Sequence, residues 1–299
     1  RMLFTDAQRS CFAKDPAVVR YHGTYFLYYT FLYSDQADQK IGVGIARSAD
    51  LEHWEKAGEL ALEHPYEQKG IGAPAAIVLD GRIHLFYQTY GNWRGDALCH
   101  AVSEDGLRFT RNPENPIFSP TDDWCCGRAI DADVCLFGGR LYLYFATRDH
   151  SMRIQKLGCA YADPASKLGR ADWVQAVPQS ILAPELPWEG ECIEAPASVA
   201  QGGKVYLFYG GSYNCTPQQI GCAVSEDGVA FRRLFTEPFL PCGQPGSWNQ
   251  NESGHPYVFR DVDGRVYLFY QGSADAGKTW YLSRVEIGFD EKGLPYICR

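Results

Sequence analysis

Three acidic residues occur at matching points of a repeated sequence pattern, and acids placed in this way could carry out acid–base chemistry. Asp15 and Asp131 each stand at the start of an apolar run that opens a copy of the pattern, and Glu194 immediately precedes Ala195, the start of another copy. Like charges held close together are costly unless they serve a site, because each disfavours ionisation of the others. Two carboxyl groups across a glycosidic bond can hydrolyse it, one by protonating the leaving oxygen and one by activating water, while a third can tune and orient. The trio therefore favours glycoside hydrolysis over a purely structural role.

The pattern that carries these acids is written five times, at intervals of about 60 residues. Each copy has a short apolar run, a turn that contains glycine, and a strand rich in aromatic and β-branched residues, which is the signature of a β-hairpin. Most copies continue into a second hairpin, so one copy fits a four-stranded blade. The sequence therefore predicts an all-β fold with few helices, a five-bladed β-propeller that occupies residues 1–299 as a single catalytic domain. The copies start at Asp15, Ala73, Asp131, Ala195 and His255.

The starting residues of the five copies should meet at one mouth of the propeller, because the innermost strand of every blade begins near the central axis. His255 could there ligate a cation, such as calcium in the central channel, directly or through water, or it could be a polar plug. Acids that cap turns or hold such a cation are the structural alternative to catalysis, and a non-catalytic carbohydrate-binding propeller is the functional alternative. We expect that no cofactor is required.

Two further patterns are predicted to serve the scaffold. Ser-Asp-Gly sequences in the second hairpins, as at Ser103-Glu104-Asp105-Gly106, supply turn geometry. Cys99, Cys159 and Cys222 occupy the strand position that Val43 holds in the first copy, which predicts small buried thiols without disulfide partners. Such thiols favour a reducing, cytoplasmic compartment, with the periplasm or secretion after loss of a leader as alternatives.

The composition narrows the class of partner. A net charge of −8 and the lack of a basic run argue against nucleic acid. No apolar run is long enough to cross a bilayer, so no membrane partner is expected. An aromatic content of 14% supplies flat side chains for the interfaces between blades. The expected partner is a neutral oligosaccharide or polysaccharide substrate.

The ordered set of motifs resembles glycoside hydrolase family 43 and related five-bladed propeller glycosidases over nearly the whole chain. The resemblance implies that Asp15 is the general base, that Asp131 modulates the pKa of the acid, and that Glu194 is the general acid of an inverting mechanism. Inversion requires the base and acid carboxyls to lie about 6.5–9.5 Å apart. The resemblance also implies arabinofuranoside or xyloside substrates. The matching motifs are Asp15-Pro16, Gly72-Ala73-Pro74, Ile130-Asp131, Glu194-Ala195-Pro196, Gly254-His255 and a closing strand from Arg284 to Asp290.

The sequence departs from the family pattern at two places. Gly72 stands where an aromatic residue often precedes Ala-Pro, so another ring must form that wall of the sugar site. The third copy offers two aspartates, Asp131 and Asp133, of which the repeat alignment and the resemblance both select Asp131. The remaining side chains predicted to bind substrate, by stacking or hydrogen bonding, are Trp93, Trp124, Trp188, Trp248, Arg128, His255 and Arg284.

A related propeller glycosidase or a phosphorylase that acts on mannosides is the alternative within the enzymes. A phosphorylase would use phosphate in place of water and would require several basic residues near the acid. Few lysines or arginines are expected around Glu194, which favours hydrolysis.

Overall fold

The computed structural model describes residues 1–34 and 39–299, which form five antiparallel four-stranded sheets. Each sheet uses four consecutive strands, so each copy of the repeated pattern is one blade and the predicted five-bladed propeller is confirmed. The first two blades are β1 (Lys14–Tyr21), β2 (Thr24–Leu32), β3 (Ile41–Ser48) and β4 (Glu55–Glu59), then β5 (Ile71–Leu79), β6 (Arg82–Thr89), β7 (Leu98–Ser103) and β8 (Thr110–Arg111). The third blade is β9 (Ile130–Phe137), β10 (Arg140–Arg148), β11 (Gln155–Ala162) and β12 (Val174–Gln175). The last two are β13 (Ile193–Gln201), β14 (Lys204–Gly211), β15 (Gln219–Ser225) and β16 (Arg232–Arg233), then β17 (Glu252–Arg260), β18 (Val266–Ser273), β19 (Tyr281–Phe289) and β20 (Pro295–Ile297).

Helix is scarce, as the sequence predicts. In the described part of the chain it is limited to short 3-10 turns in the connections, at Ala7–Arg9, Pro65–Glu67, Trp93–Gly95 and Pro187–Glu189. None of the helices in the described residues is long and apolar enough to cross a membrane.

Tight turns with two left-handed residues create the first hairpin in the first four blades. In the first blade His22 and Gly23 both lie in the left-handed region, with φ of 50° and 81°, and the second blade repeats this at Asp80 and Gly81 with φ of 49° and 69°. Two consecutive left-handed residues define the type I′ turn, whose twist matches that of paired strands. The turn chemistry in the sequence therefore sets the register of the inner two strands.

The Ser-Asp-Gly sequences form the outer corners of the blades, as predicted. The hydroxyl of Ser103 accepts a hydrogen bond from the amide of Gly106, and the carboxylate of Asp105 accepts from the amides of Leu107 and Arg108, all at 2.8 Å. These bonds satisfy the backbone amides of the turn, so the serine and the aspartate have a structural role.

Aromatic hydroxyl groups tie two of these corners to a neighbouring blade. Tyr28 in the first blade donates to Gly106 O in the second at 2.8 Å, and Tyr144 in the third donates to Gly228 O in the fourth at 2.7 Å. Both tyrosines are fully buried. A buried phenol needs such a partner, so these bonds make an aromatic interface specific as well as apolar.

Gly106 is a position at which an added methyl group will measurably destabilise the fold. It has a φ of +82°, and a Cβ placed there would lie 2.6 Å from the ring of Phe26. Left-handed strain and overpacking together should lower the free energy of unfolding of Gly106→Ala by about 2–5 kcal/mol. Gly81→Ala is the matched control, because Gly81 also has a positive φ (+69°) but a Cβ added there would meet no atom within 4 Å. Urea denaturation should give about 1–2 kcal/mol for the control; equal losses in both variants would refute the packing argument.

The ring closes between the first and last blades. Inner strand β1 contacts β17, just as β5, β9, β13 and β17 contact their neighbours in turn. Residues before β1 reinforce this closure, since Phe4 and Phe12 form bridges to Leu282 and Trp280 of the fifth blade. Tyr257 on β17 reaches Ala76 O of the non-adjacent second blade at 2.7 Å, so its side chain crosses the central channel. The Tyr257 side chain therefore obstructs the central channel.

The cysteines confirm the prediction of unpaired thiols. Cys99, Cys159 and Cys222 are at most 1% exposed, and all eleven cysteines are free. Each of the three lies on the third strand of its blade, where Val43 lies in the first. They act as small apolar side chains in the blade interfaces.

Candidate active site

A cavity of about 820 Å³ opens at the end of the propeller where the inner strands begin. Every blade contributes to its wall, because each inner strand starts there. The five starting residues of the repeats lie on β1, β5, β9, β13 and β17, as predicted, and the residues from these strands that line the cavity include Asp15, Ala73, Asp131, Glu194 and His255.

A left-handed residue bends each inner strand at the same point. The φ values are 54° at Asp15, 46° at Ala73, 55° at Asp131, 53° at Ala195 and 40° at His255. The pairing register shifts there in every blade, which is a β-bulge. Left-handed backbone is unfavourable for residues other than glycine, and such strain is found where a side chain must be aimed at a site.

A side chain from the preceding blade holds the amide of each left-handed residue. We call these five contacts the amide clamps, and they run once around the ring. The fifth blade clamps the first, the first clamps the second, and so on. The donor amides and acceptor atoms are Asp15 and Gln271 Oε1 (2.9 Å), Ala73 and Thr30 Oγ1 (2.8 Å), Asp131 and Gln88 Oε1 (2.8 Å), Ala195 and Asp131 Oδ2 (3.1 Å), and His255 and Gln218 Oε1 (2.9 Å).

Asp15 is held in its ionised form. Burial alone would raise the pKa of Asp15, but the charge and hydrogen bond of His255 outweigh burial and lower it well below the ordinary value. His255 Nδ1 lies 2.9 Å from Asp15 Oδ1. An ionised carboxylate beside a cavity can accept a proton from water, which is what a general base requires.

Glu194 has the opposite environment. Burial, and then the negative charge of Asp131, raise the pKa of Glu194 to about 7. Its two oxygens accept hydrogen bonds from Gln155 Nε2 at 2.6 Å and Gln218 Nε2 at 2.7 Å, which fix the carboxyl in place. A carboxyl group that retains its proton near neutral pH can act as a general acid.

Asp131 connects these two acids. Its carboxylate accepts from the amide of Ala195, the residue next to Glu194, and burial raises its own pKa. Asp133 is elsewhere: it accepts from the amide of Ser198 at 2.8 Å and from the Ser198 hydroxyl, between the third and fourth blades. The bulge at Asp131 breaks the alternation that would place both aspartates on one face, so Asp131 alone lines the cavity.

Lys14 is a residue of the cavity that was not predicted from the sequence. It precedes the left-handed residue of its blade just as Glu194 does, so the repeat alignment contains the signal. Burial alone would lower the pKa of Lys14, but Asp15 and the fully buried Glu252 raise it. In the orientation that satisfies its amide, Asn214 accepts from Lys14 Nζ at 2.9 Å and donates to Glu252.

Aromatic rings reach the cavity from positions that the sequence did not predict. Gly72 is covered by Ile41, since a Cβ there would lie 2.5 Å from Ile41 Cδ1, so that wall carries no ring. Trp280 lines the cavity with Lys14 Nζ 4.5 Å from the centre of its ring. The other aromatic residues of the lining are Phe12, Tyr90 and Tyr213.

The tryptophans predicted to stack on sugar lie outside the cavity. Trp124, Trp188 and Trp248 pack against their own blades, where a Cβ added at Gly158, Gly211 or Gly272 would lie 2.2–2.7 Å from the respective indole ring. Trp93 is 63% exposed in the connection between β6 and β7. These tryptophans are close in sequence to the starts of the repeats, but their rings do not line the cavity.

Arg284 also lies outside the cavity. It is on β19, with its guanidinium 4.2 Å from the centre of the Tyr267 ring and paired with Glu52. Arg128, by contrast, lines the cavity. It is joined there by Arg148 and Lys278, so the expectation of few basic residues near the acid is wrong. Arg148 was not predicted, because it is far along the sequence from each of the three acids.

The residues around His255 do not fit direct coordination of a channel cation. Burial would lower the pKa of His255, but the charges of Asp15 and Asp131 and the hydrogen bond between Nδ1 and Asp15 raise it to about 9, which favours the protonated ring at neutral pH. A protonated imidazole is not a metal ligand. Within residues 1–34 and 39–299, His, Cys, Asp and Glu side chains nowhere form a group of three that could hold a metal ion.

Comparison with known proteins identifies the family of this propeller. The model of glycosyl hydrolases family 43 matches residues 9–291. The chain belongs to glycosyl hydrolase family 43. A solved structure of a thermostable family-43 glycoside hydrolase has a TM-score of 0.77 over 96% of this chain and 93% of that chain at 21% identity, which supports the shared fold of this family-43 protein.

Two curated relatives are similar to parts of this family-43 chain. A beta-1,2-mannobiose phosphorylase from Thermoanaerobacter sp. (strain X514) is 32% identical over 121 residues, which are 35% of this chain and 38% of that protein. A beta-xylosidase from Xylanibacter ruminicola is 25% identical over 168 residues, or 54% of this chain and 42% of that protein. The chain therefore spans less than half the length of either relative.

Proposed function

We propose that this family-43 protein hydrolyses glycosidic bonds with inversion of the anomeric configuration. The observation that carries the proposal is the pair of opposite carboxyl environments in one cavity. Asp15 is kept ionised by His255, and Glu194 has a pKa raised to about 7 by burial and by Asp131. Two carboxyl groups with pKa values moved apart are the arrangement that lets one act as acid and the other as base at the same pH.

The reaction follows from these two protonation states. Glu194 gives its proton to the glycosidic oxygen as the bond from that oxygen to the anomeric carbon breaks. Asp15 takes a proton from a water molecule on the opposite face, and the water oxygen forms the new bond to the anomeric carbon. The cycle ends when Asp15 loses its proton to solvent and Glu194 regains one. Gln155 and Gln218 hold Glu194 in place throughout, and His255 does the same for Asp15.

Arabinofuranosides and xylosides are the substrates that we propose first. The family resemblance supports them, as does the name of the beta-xylosidase relative. Rings such as Trp280 and Tyr213 in the cavity wall provide faces on which a sugar can stack. A panel of aryl pentosides and hexosides tests this choice, and cleavage of hexosides alone would contradict it.

Phosphorolysis is the second candidate, because two observations favour it. One relative is a mannobiose phosphorylase, and Lys14, Arg128 and Arg148 line the cavity near the acid. The experiment is product release from aryl glycosides with and without phosphate. Hydrolysis predicts the same rate in both conditions and free sugar as product, whereas phosphorolysis predicts dependence on phosphate and a sugar phosphate.

The same experiment separates catalysis from simple binding. Glu194→Gln should lose most of the release of poor leaving groups, because an amide cannot donate the required proton. Glu191→Gln is a matched control, since Glu191 is exposed and pairs with Arg153 outside the cavity. A wild-type protein that binds glycans but releases no product would identify a carbohydrate-binding propeller instead.

Asp131→Asn should move the basic limb of the pH profile. Glu194 must be protonated, so kcat/KM should fall as pH rises through about 7 in the wild type. Removing the charge of Asp131 removes a cause of the raised pKa, so Glu194 loses its proton at lower pH and the basic limb shifts down. Asparagine retains an oxygen that can accept from Ala195, so the backbone contact is kept. An unchanged basic limb would contradict the assigned role of Asp131.

A further inference from the structure

The cavity has a charge opposite to that of the chain. The whole sequence has a net charge of −8, yet the ionisable residues of the cavity wall include more cations than acids. His255 is among the cations, because its pKa is raised to about 9, chiefly by Asp15 acting against burial. The cations are Lys14, Arg128, Arg148, His255 and Lys278, and the acids are Asp15, Asp131 and Glu194. A neutral sugar gives no reason for this excess, whereas an anionic ligand does.

Arg128 is buried without a full set of partners. The residue is 7% exposed, and its nearest carboxylate oxygen, Asp96 Oδ2, lies 3.6 Å from Nη2, beyond hydrogen-bond distance. Its Nε atom is buried and has no hydrogen-bond partner among the described residues. A guanidinium removed from water with unused N–H groups is costly, because five donors seek acceptors. An oxyanion in the cavity would accept hydrogen bonds from the terminal Nη groups, because the buried Nε is closed to a ligand.

Arg148 is held in place by neutral groups. It donates from Nε to Gln155 Oε1 at 2.8 Å and from Nη1 to Met152 O at 3.2 Å, and its guanidinium lies 5.5 Å from the centre of the Tyr213 ring. In the described part of the chain no carboxylate pairs with it, so its charge is positioned but not neutralised. This is the arrangement of a binding arginine rather than of a structural ion pair.

Gln155 connects this arginine to the proposed acid. Its Oε1 accepts from Arg148, while its Nε2 donates to Glu194 Oε2 at 2.6 Å. A group bound by Arg148 is therefore one side chain away from the residue that protonates the glycosidic oxygen. The position is suitable for a substituent of the sugar that is cleaved or of its immediate neighbour.

We propose that Arg128 and Arg148 form an oxyanion subsite of the cavity, which binds the carboxylate of an acidic sugar such as a uronic acid unit. The proposal rests on the proposed function, and it extends the substrate from a neutral glycan to one in which the cleaved sugar or its immediate neighbour carries a carboxylate. Arginine suits this role because its planar fork donates two parallel hydrogen bonds to a carboxylate.

Free phosphate is the other source of an oxyanion, and two observations favour the carboxylate. Phosphate carries more negative charge at neutral pH, and Asp131, which interacts electrostatically with Arg128, would repel it more strongly. Phosphate that replaced water would also have to lie beside Asp15, the proposed base. Arg148 is instead connected through Gln155 to Glu194, the proposed acid.

The test compares binding of matched acidic and neutral sugars by titration calorimetry in phosphate-free buffer at constant ionic strength. The probes are glucuronate against glucose, galacturonate against galactose, and inorganic phosphate. The proteins are the wild type, Arg128→Gln, Arg148→Gln and the control Arg153→Gln, whose arginine is exposed and pairs with Glu191 outside the cavity. Because Arg128 is buried, thermal melting checks its folding, and Arg148→Gln alone decides the outcome if Arg128→Gln does not fold.

We expect at least one acidic sugar to bind the wild type about tenfold more tightly than its neutral partner. The preference should fall towards unity in Arg128→Gln and Arg148→Gln and persist in Arg153→Gln. Equal affinity for the pair, no measurable binding of either acidic sugar, or a preference that survives in Arg148→Gln would overturn the proposal. Phosphate that binds more tightly than both acidic sugars and is lost in the same variants would assign the subsite to phosphate, which also overturns it. Calorimetry measures binding and not turnover. The outcome for the oxyanion subsite is therefore distinguishable from a failure of the proposed hydrolysis.

Discussion

Asp15→Ala will be inactive on every glycoside, whatever its leaving group. Water must be activated for all substrates, and the ionised carboxylate of Asp15 is the group proposed to do it. Loss of a general base costs about 10²–10⁴ in rate, and initial rates on natural and activated aryl glycosides will both show it.

Azide provides the positive control for this variant. A small anion that needs no deprotonation can occupy the space left by the carboxylate and attack the anomeric carbon directly. Azide should therefore restore cleavage by Asp15→Ala and yield a glycosyl azide of inverted configuration. An Asp15→Ala enzyme that hydrolyses activated substrates at the wild-type rate without azide would remove Asp15 from the role of base.

Glu194→Ala will separate substrates by the quality of their leaving groups. Natural glycosides should lose about 10²–10⁴ in rate, because a sugar alkoxide departs only when it is protonated. Aryl glycosides with very acidic phenols should stay within about tenfold of the wild-type rate, because their phenolates depart without a proton. The measurement is a plot of rate against leaving-group pKa, which should be much steeper for the variant than for the wild type.

The two variants together test which acid plays which part. If Glu194→Ala lost activity on activated substrates while Asp15→Ala kept it, the roles of acid and base would have to be exchanged. If both variants were fully active, the reaction would take place elsewhere on the protein.

The repeated pattern predicted the blades and the convergence of the acids, because both follow from local periodicity and from the symmetry of a propeller. Asp15, Asp131 and His255 occupy equivalent bulges, while Glu194 lies one residue earlier. That offset is visible in the alignment, and the same offset in the first copy points to Lys14. The alignment of the copies can therefore locate any residue whose place in the fold follows from its position within the repeated pattern.

The binding residues were not predictable in the same way, because they depend on which side of a blade a side chain occupies. Trp188 and Trp248 occur before their inner strands, but each ring lies on a glycine of the second strand, Gly211 or Gly272. A glycine has no side chain and leaves space for an indole ring on the strand. A tryptophan before the inner strand together with a glycine at the end of the second strand was therefore the signal in the sequence that these rings pack on their blades. Arg148 reaches the cavity only through the tertiary arrangement of the third blade.

The amide clamps imply that the catalytic cavity is completed only after the fifth blade has been synthesised. Asp15 is the first of the proposed catalytic residues to leave the ribosome, yet its amide is held by Gln271 and its charge by His255, both in the fifth blade. The base is therefore synthesised first and positioned last. A nascent or truncated chain that ends before β17 would have all three acids and still lack the contacts that keep Asp15 ionised and aimed. We expect activity to appear in a single step, when the last blade docks against the first.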